Sequence, residues 1–239
     1  MHDIPYLTAS EMREVDRAMI EDYRIELIQM MESAGRVLAT LARSRFLGRN
    51  AMGRHILVLA GTGNNGGGGL VCARRLHGWG ARVRVITTRP EEEFRGIPEH
   101  QLDIVSRLGV PISDMKGPTV LAETDLVIDA IIGYGLDGPP REDAARLIRL
   151  GNEYGAPILS LDAPSGLDVT TGTALEPAIQ ATATLTLALP KVGLRAPGAE
   201  PYVGELYLGD ISVPPELFRR SGLAYEVGPI FAREEIIRL

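Results

Sequence analysis

Two features of this chain could do chemistry: a glycine–asparagine run behind one apolar segment, and acids that close two others. The run reads Gly61-Thr62-Gly63-Asn64-Asn65-Gly66-Gly67-Gly68-Gly69. Gly61, Gly63 and Gly66 have the G-x-G-x-x-G spacing, which lets a tight turn bring backbone N–H groups to a phosphate at a helix N-terminus. A glycine-rich turn with no ligand would share that spacing. The side-chain amides of Asn64 and Asn65 favour a ligand, because they offer donors and acceptors that a bare turn does not need. Asp129 closes Leu126-Val127-Ile128, and Asp162 closes Ser160-Leu161. A carboxylate at the end of an apolar strand is costly to bury unless it is paired or holds a cation; for Asp129, capping a nearby turn is the alternative.

Ser165 stands three residues beyond Asp162, and chain spacing permits Asp129, Asp162 and Ser165 to converge on one cleft near Asn64 and Asn65. Oxygen donors of this kind suit a hard cation. The four histidines include no ligand-spaced pair, which argues against zinc. Lys191, in Pro190-Lys191-Val192-Gly193, is placed to pair with Asp162 or a phosphate, or to stand exposed at a strand end.

These residues matter only if the fold gathers them. Short apolar runs predict strands at 55–60, 82–88, 125–130, 157–161, 183–189 and 205–210, with helices at about 67–77, 98–108 and 141–154 between them. Two helices come first. Thr8-Ala9-Ser10-Glu11 has capping-box spacing and starts a helix running to about Tyr23. Leu27, Met30, Met31, Ala34, Leu38 and Leu41 form the buried stripe of a second, from about Glu26 to Arg45, with Gly35 admitting close approach of another backbone. The alternation predicts an α/β fold: a Rossmann-like three-layer αβα sandwich on a mostly parallel sheet. Ligands of such sheets bind beyond the carboxyl ends of the strands, at the switch in strand order. The residues after Ala60, Ala130, Leu161 and Leu189 are therefore the ones to watch.

One domain is expected over 1–239: N-terminal helices at about 8–45, a core at about 54–213, and a tail at 214–239 covering the sheet edge, with a short helix at 232–239. The 239 residues are 45% hydrophobic and carry a net charge of −6 with both signs mixed, which argues against nucleic acid as a partner. Cys72 is the single cysteine, so an internal disulfide and a cysteine-rich metal site are excluded. No leader pattern and no apolar run of about 18 residues occurs, so a cytoplasmic protein without a membrane role is expected. After the second strand, Thr87-Thr88-Arg89-Pro90 stands where an ordinary dinucleotide dehydrogenase carries a ribose-binding acid. Arg89 either meets a phosphorylated ribose or is a solvated surface residue.

Together, Met31-Glu32-Ser33-Ala34-Gly35-Arg36, Gly63-Asn64-Asn65-Gly66-Gly67, Val127-Ile128-Asp129-Ala130, Asp162-Ala163-Pro164-Ser165-Gly166-Leu167-Asp168 and Pro190-Lys191-Val192-Gly193 resemble the NAD(P)H-hydrate epimerase family, also called the YjeF N-terminal domain family. They occur in the family's order and cover nearly the whole chain. The resemblance implies interconversion of the R and S epimers of NADHX and NADPHX, the hydrated, redox-dead forms of NADH and NADPH, with a separate dehydratase completing the repair of the S epimer. It implies a monovalent cation, potassium, held by Asn65, Asp129 and Ser165. Substrate contacts would come from Asn64, Asn65, Gly66, Gly67, Gly68, Asp162 and the loop of Gly133, Tyr134, Gly135, Leu136, Asp137, Gly138 and Pro139. Asp162 is the candidate proton-exchanging group, with Lys191 as its partner, and a homodimer is implied. Two positions depart from the pattern: Ser33 replaces the usual asparagine, and Gly68 the usual aspartate. The second removes a carboxylate from the contact set, for which Asp137 is the candidate substitute. The rival reading is a non-catalytic nucleotide-binding or scaffold protein on the same fold, its ligand changed by Gly68.

Overall fold

In the computed structural model, which describes residues 4–115, 123–220 and 222–239, the apolar runs pair into one eight-stranded sheet. Its strands are β1 (His55–Ala60), β2 (Arg82–Thr87), β3 (Ile112–Asp114), β4 (Leu126–Ala130), β5 (Ile158–Leu161), β6 (Ala183–Leu187), β7 (Glu205–Gly209) and β8 (Ile236–Arg238). Their order is β3-β2-β1-β4-β5-β6-β7-β8, parallel throughout except for β8, which runs antiparallel to β7. The chain travels outward from β1 to β3 and then returns to lay β4 on the other side of β1. That reversal is the switch point, and its register sets Leu59 beside Asp129 and Asp129 beside Ser160.

The helices are α1 (Ala9–Glu21), α2 (Leu27–Leu41), α3 (Asn64–Gly78), α4 (Gly96–Arg107), α5 (Glu142–Glu153), α6 (Glu200–Val203) and α7 (Pro215–Arg220). On one face α2, α3 and α4 bury Leu38, Leu70 and Leu102 with Val58 and Leu185 of the sheet. On the other, Leu147 and Ile148 of α5 bury Leu57, Leu59 and Val127. The central strands β1, β4 and β5 are buried along nearly their whole length because both faces are covered. Met12, Val15 and Met19 of α1 pack with Leu189, Leu217 and Phe218, placing α1 over the carboxyl edge of the sheet. The capping box of α1 forms as its spacing predicts: the Thr8 side chain accepts from the Glu11 N–H, and the Glu11 carboxylate accepts from the Thr8 N–H.

Four elements differ from the sequence expectation. First, α3 starts at Asn64 rather than Gly67, so Asn64, Asn65 and Gly66 lie in its first turn instead of a loop. Glycine costs about 1 kcal/mol per helical position relative to alanine, but close approach outweighs that here. A Cβ at Gly66 would lie 1.8 Å from the Gly61 carbonyl oxygen, and one at Gly35 2.7 Å from the Gly68 carbonyl oxygen. Gly66→Ala is therefore expected to destabilise the protein by about 3 kcal/mol, an overpacking cost that exceeds the helix-propensity gain. A lower urea midpoint at unchanged slope would show it. Second, the three-residue edge strand β3 is too short to have an apolar signature. Third, residues 236–238 form β8 rather than part of a helix. The edge of β7 offers unpaired backbone groups, β-branched Ile236 and Ile237 suit a strand, and Arg36 of α2 anchors the approach through an ion pair with Glu235. Helix α2 also ends earlier than expected, at Leu41, with a π turn over Ala42–Phe46.

Candidate active site

A cavity of about 400 Å³ opens at the carboxyl edge of the sheet, at the β1/β4 switch point. Each wall follows from an element. β1 delivers Gly63, Asn64 and Asn65 at the start of α3, β4 delivers the turn from Ile131 to Gly135, and β5 delivers Asp162. The roof is α1 and α2, through Met12, Arg13, Asp16, Met30 and Met31.

Asp162 is 5% exposed and takes a left-handed backbone conformation, φ +68°. For a non-glycine residue that costs on the order of 1 kcal/mol or more and persists only where surrounding contacts hold it. The contacts are present. Asp162 Oδ2 accepts the Tyr134 N–H at 3.0 Å, and Oδ1 accepts from Lys191 Nζ. Lys191 is fully buried behind Asp162 and does not line the cavity. Its ammonium also donates to the Leu187 carbonyl at 3.0 Å and Thr186 Oγ1 at 3.2 Å, so all three of its protons have acceptors. The arrangement presents one carboxylate to the cavity with a fixed counter-charge at its back.

Asp129 is fully buried, and burial pushes its carboxyl above the ordinary carboxylate range against the pull of four hydrogen bonds. The donors are Ser165 Oγ at 2.6 Å, Ser160 Oγ at 2.7 Å, the Ser165 N–H at 2.9 Å and the Ile131 N–H at 3.3 Å. Ser165 Oγ also accepts the Ile132 N–H at 2.8 Å and lies 3.1 Å from the Ile132 carbonyl oxygen. One hydroxyl proton therefore faces two acceptors. Asn65 closes this region: a Cβ at Gly133 would sit 3.0 Å from Asn65 Oδ1 and 3.1 Å from Asp162 Oδ2, while Asn65 Nδ2 is buried without a partner. With one Ser165 proton for two oxygens, one acceptor is left without a hydrogen, and a hard cation suits such an oxygen. Among the described residues no group of three or more histidine, cysteine, aspartate or glutamate side chains is arranged to hold a metal ion.

The remaining expected contacts divide. Gly68, Gly133, Tyr134 and Gly135 line the cavity with Asn64, Asn65 and Asp162. Gly66 and Gly67 are buried inside α3, and Leu136, Asp137, Gly138 and Pro139 lie outside the lining, with Asp137 and Pro139 exposed. Arg89 is a surface residue paired with Glu142. The α1 residues, above all Asp16, were not singled out from sequence. Asp16 accepts a hydrogen bond from the Tyr134 hydroxyl, and burial raises its carboxyl above its ordinary value. A signal existed: Asp16 stands four residues after Met12, on the apolar face of an amphipathic helix. Glu32, within the second-helix motif, has a structural use, bonding Arg74, Arg75 and Gln101 and so tying α2 to α3 and α4.

The family model described as YjeF-related protein N-terminus matches residues 27–193. An NAD(P)H-hydrate epimerase of Dehalogenimonas lykanthroporepellens is 40% identical over 226 residues, 95% of this chain and 89% of that protein. A bifunctional NAD(P)H-hydrate repair enzyme of Moorella thermoacetica is 38% identical over 219 residues, 88% of this chain and 41% of that protein. The crystal structure of the yeast protein YNL200c superposes with a TM-score of 0.81 at 26% identity, covering 99% of this chain and 100% of that one.

Proposed function

The chain belongs to the family of the YjeF-related protein N-terminus, and we infer from that membership and from the cavity that it interconverts the R and S epimers of NAD(P)H hydrates. It is an isomerase acting in nicotinamide nucleotide repair. The observation that carries the reading is Asp162, a buried carboxylate held at the cavity floor between Lys191 and the Tyr134 N–H. Inverting the hydrated ring carbon requires its hydroxyl to leave and return on the other face, or an equivalent ring opening. Either route needs a group that moves protons beside the ring. Asp162 has the position for this, and Lys191 holds it there without touching the substrate. Asn64, Asn65 and the turn of Gly133, Tyr134 and Gly135 would bind the dinucleotide where backbone and amide donors border the switch point.

Potassium is proposed at Asn65, Asp129 and Ser165, supported by the single Ser165 proton that faces both Asp129 Oδ1 and the Ile132 carbonyl. The ion would supply positive charge that orders the Ile132–Gly133 peptide against Asn65. A homodimer and a dehydratase as pathway partner are proposed from the family resemblance. A cytoplasmic location is proposed as well; no helix among the described residues is long and apolar enough to cross a membrane.

The test is chromatographic: separated (R)-NADHX and (R)-NADPHX are incubated with the protein, with and without potassium, against an enzyme-free control. Faster approach to the epimer equilibrium is expected. No acceleration by folded protein would leave the non-catalytic binding reading, which Gly68 favours. Gly68 itself yields a prediction. A Cβ there would meet Leu161 Cδ2 at 2.7 Å, the far end of a side chain. Gly68→Asp is thus expected to cost about 1 kcal/mol of stability for shifting Leu161. A restored charged hydrogen bond should tighten NADPHX binding about tenfold, given roughly 1.5 kcal/mol or more for such a bond. Titration calorimetry reads the affinity; unchanged affinity would mean the carboxylate has no ligand partner in this cavity.

A further inference from the structure

We propose that Asp16 of α1 is the second acid–base group of this site, facing Asp162 across the cavity so that protons can be exchanged on both faces of the hydrated ring. The inference rests on the epimerase reading. Asp162 lines the cavity from the sheet edge and Asp16 from the helical roof. Tyr134 spans the two: its backbone N–H bonds Asp162 Oδ2, and its hydroxyl donates to Asp16 Oδ2. The carboxyls therefore stand at opposite ends of one tyrosine rather than side by side. Burial is the largest influence on Asp16 and raises it; the Tyr134 hydrogen bond and the Lys191 charge act the other way, and the Asp162 charge adds to the rise. Burial also raises the Tyr134 hydroxyl, which keeps it a donor, while Arg13, three residues before Asp16 on α1, opposes that rise.

The chemistry asks for two walls. A protonated carboxyl on one wall gives its proton to the ring hydroxyl, the carbon–oxygen bond breaks, and water departs with the bonding pair. The lone pair of the ring nitrogen stabilises the carbon left behind. Water then attacks from the other wall, a new carbon–oxygen bond forms, and the extra proton passes to the carboxylate there. One proton has moved from one acid to the other, and exchange with solvent resets the pair with no oxidant or reductant consumed. Two carboxyls across a ring serve the same purpose in sugar hydrolysis with inversion, where oxygen leaves one face and water attacks the other.

The experiment measures epimerisation of separated NADHX epimers by wild type, Asp16→Asn and Tyr134→Phe across pH. Asparagine still accepts from the Tyr134 hydroxyl but holds no exchangeable acid proton. Asp16→Asn is expected to lower kcat at least 100-fold with KM within threefold. Tyr134→Phe removes a bond that lowers Asp16, so the limb of the pH profile that reports Asp16 should move to higher pH. Such limbs belong to the coupled pair, so it is the displacement that is read. A kcat within threefold of wild type in Asp16→Asn, or unmoved limbs in Tyr134→Phe, overturns the proposal. Should Asp16→Asn fail to fold, the Tyr134→Phe profile decides. Wild type that fails to accelerate epimerisation overturns the epimerase reading and this proposal with it; active wild type beside equally active Asp16→Asn overturns the role of Asp16 alone.

Discussion

Asp162→Asn protein is expected to fold and to bind NADHX, yet to interconvert its epimers about 10³-fold more slowly than wild type, within the range that positioned acid–base groups contribute. Asparagine has nearly the shape of aspartate and can still accept either the Tyr134 N–H or a Lys191 proton. What it lacks is a proton to exchange and a charge. The Lys191 ammonium then faces only neutral acceptors, Thr186 Oγ1 and the Leu187 carbonyl among them, so some stability is lost as well. Rates should therefore be compared at a temperature where both proteins are fully folded. The effect is expected in kcat, because the role proposed for Asp162 is at the reacting carbon and that proposed for Asn64 and Asn65 is to hold the rest of the ligand. Epimerisation within tenfold of wild type would remove Asp162 from the proton-exchanging role.

How far the sequence reaches into this site depends on where each side chain gets its position. Asn65, Asp129, Asp162 and Ser165 follow directly from strand ends, and a parallel sheet brings such ends to one edge whatever the rest of the chain does. Lys191 was legible as a partner for Asp162, but its complete burial was not, since strand-end lysines are ordinarily exposed. The segment before Gly67 reads as a turn because glycine and asparagine propensities oppose helix there. Backbone contacts such as Gly35 against Gly68 override that preference, and they join parts of the chain far apart in sequence. Asp16 was hidden for a related reason. An acid on an amphipathic helix reads as solvated, and only the packing of α1 over the sheet edge turns it toward Tyr134. The strand at 236–238 has too few residues for a periodic signal, and it forms because the edge of β7 is open to it.

The second large effect concerns stability. Lys191→Met is expected to destabilise the protein by about 3–5 kcal/mol, the usual consequence of removing one partner from a buried ion pair. Asp162 would keep the hydrogen bond from the Tyr134 N–H, while its backbone remains in the left-handed conformation that the Lys191 contact helps to hold. The size of the effect does not mean that the pair stabilises the fold by that amount, because an apolar replacement of both partners can be nearly neutral. A double-mutant cycle separates the two. Asp162→Asn combined with Lys191→Met leaves neither charge buried, so the double variant should be more stable than Lys191→Met alone, with a coupling of about 1–3 kcal/mol between the sites. Guanidinium unfolding of the four proteins reads the cycle directly. A Lys191→Met protein within about 1 kcal/mol of wild type, or strictly additive losses, would mean that the ammonium does not hold Asp162 in place. A stable but inactive double variant would carry the opposite lesson: the buried pair is retained for the chemistry at the cavity floor, and the fold bears its desolvation cost.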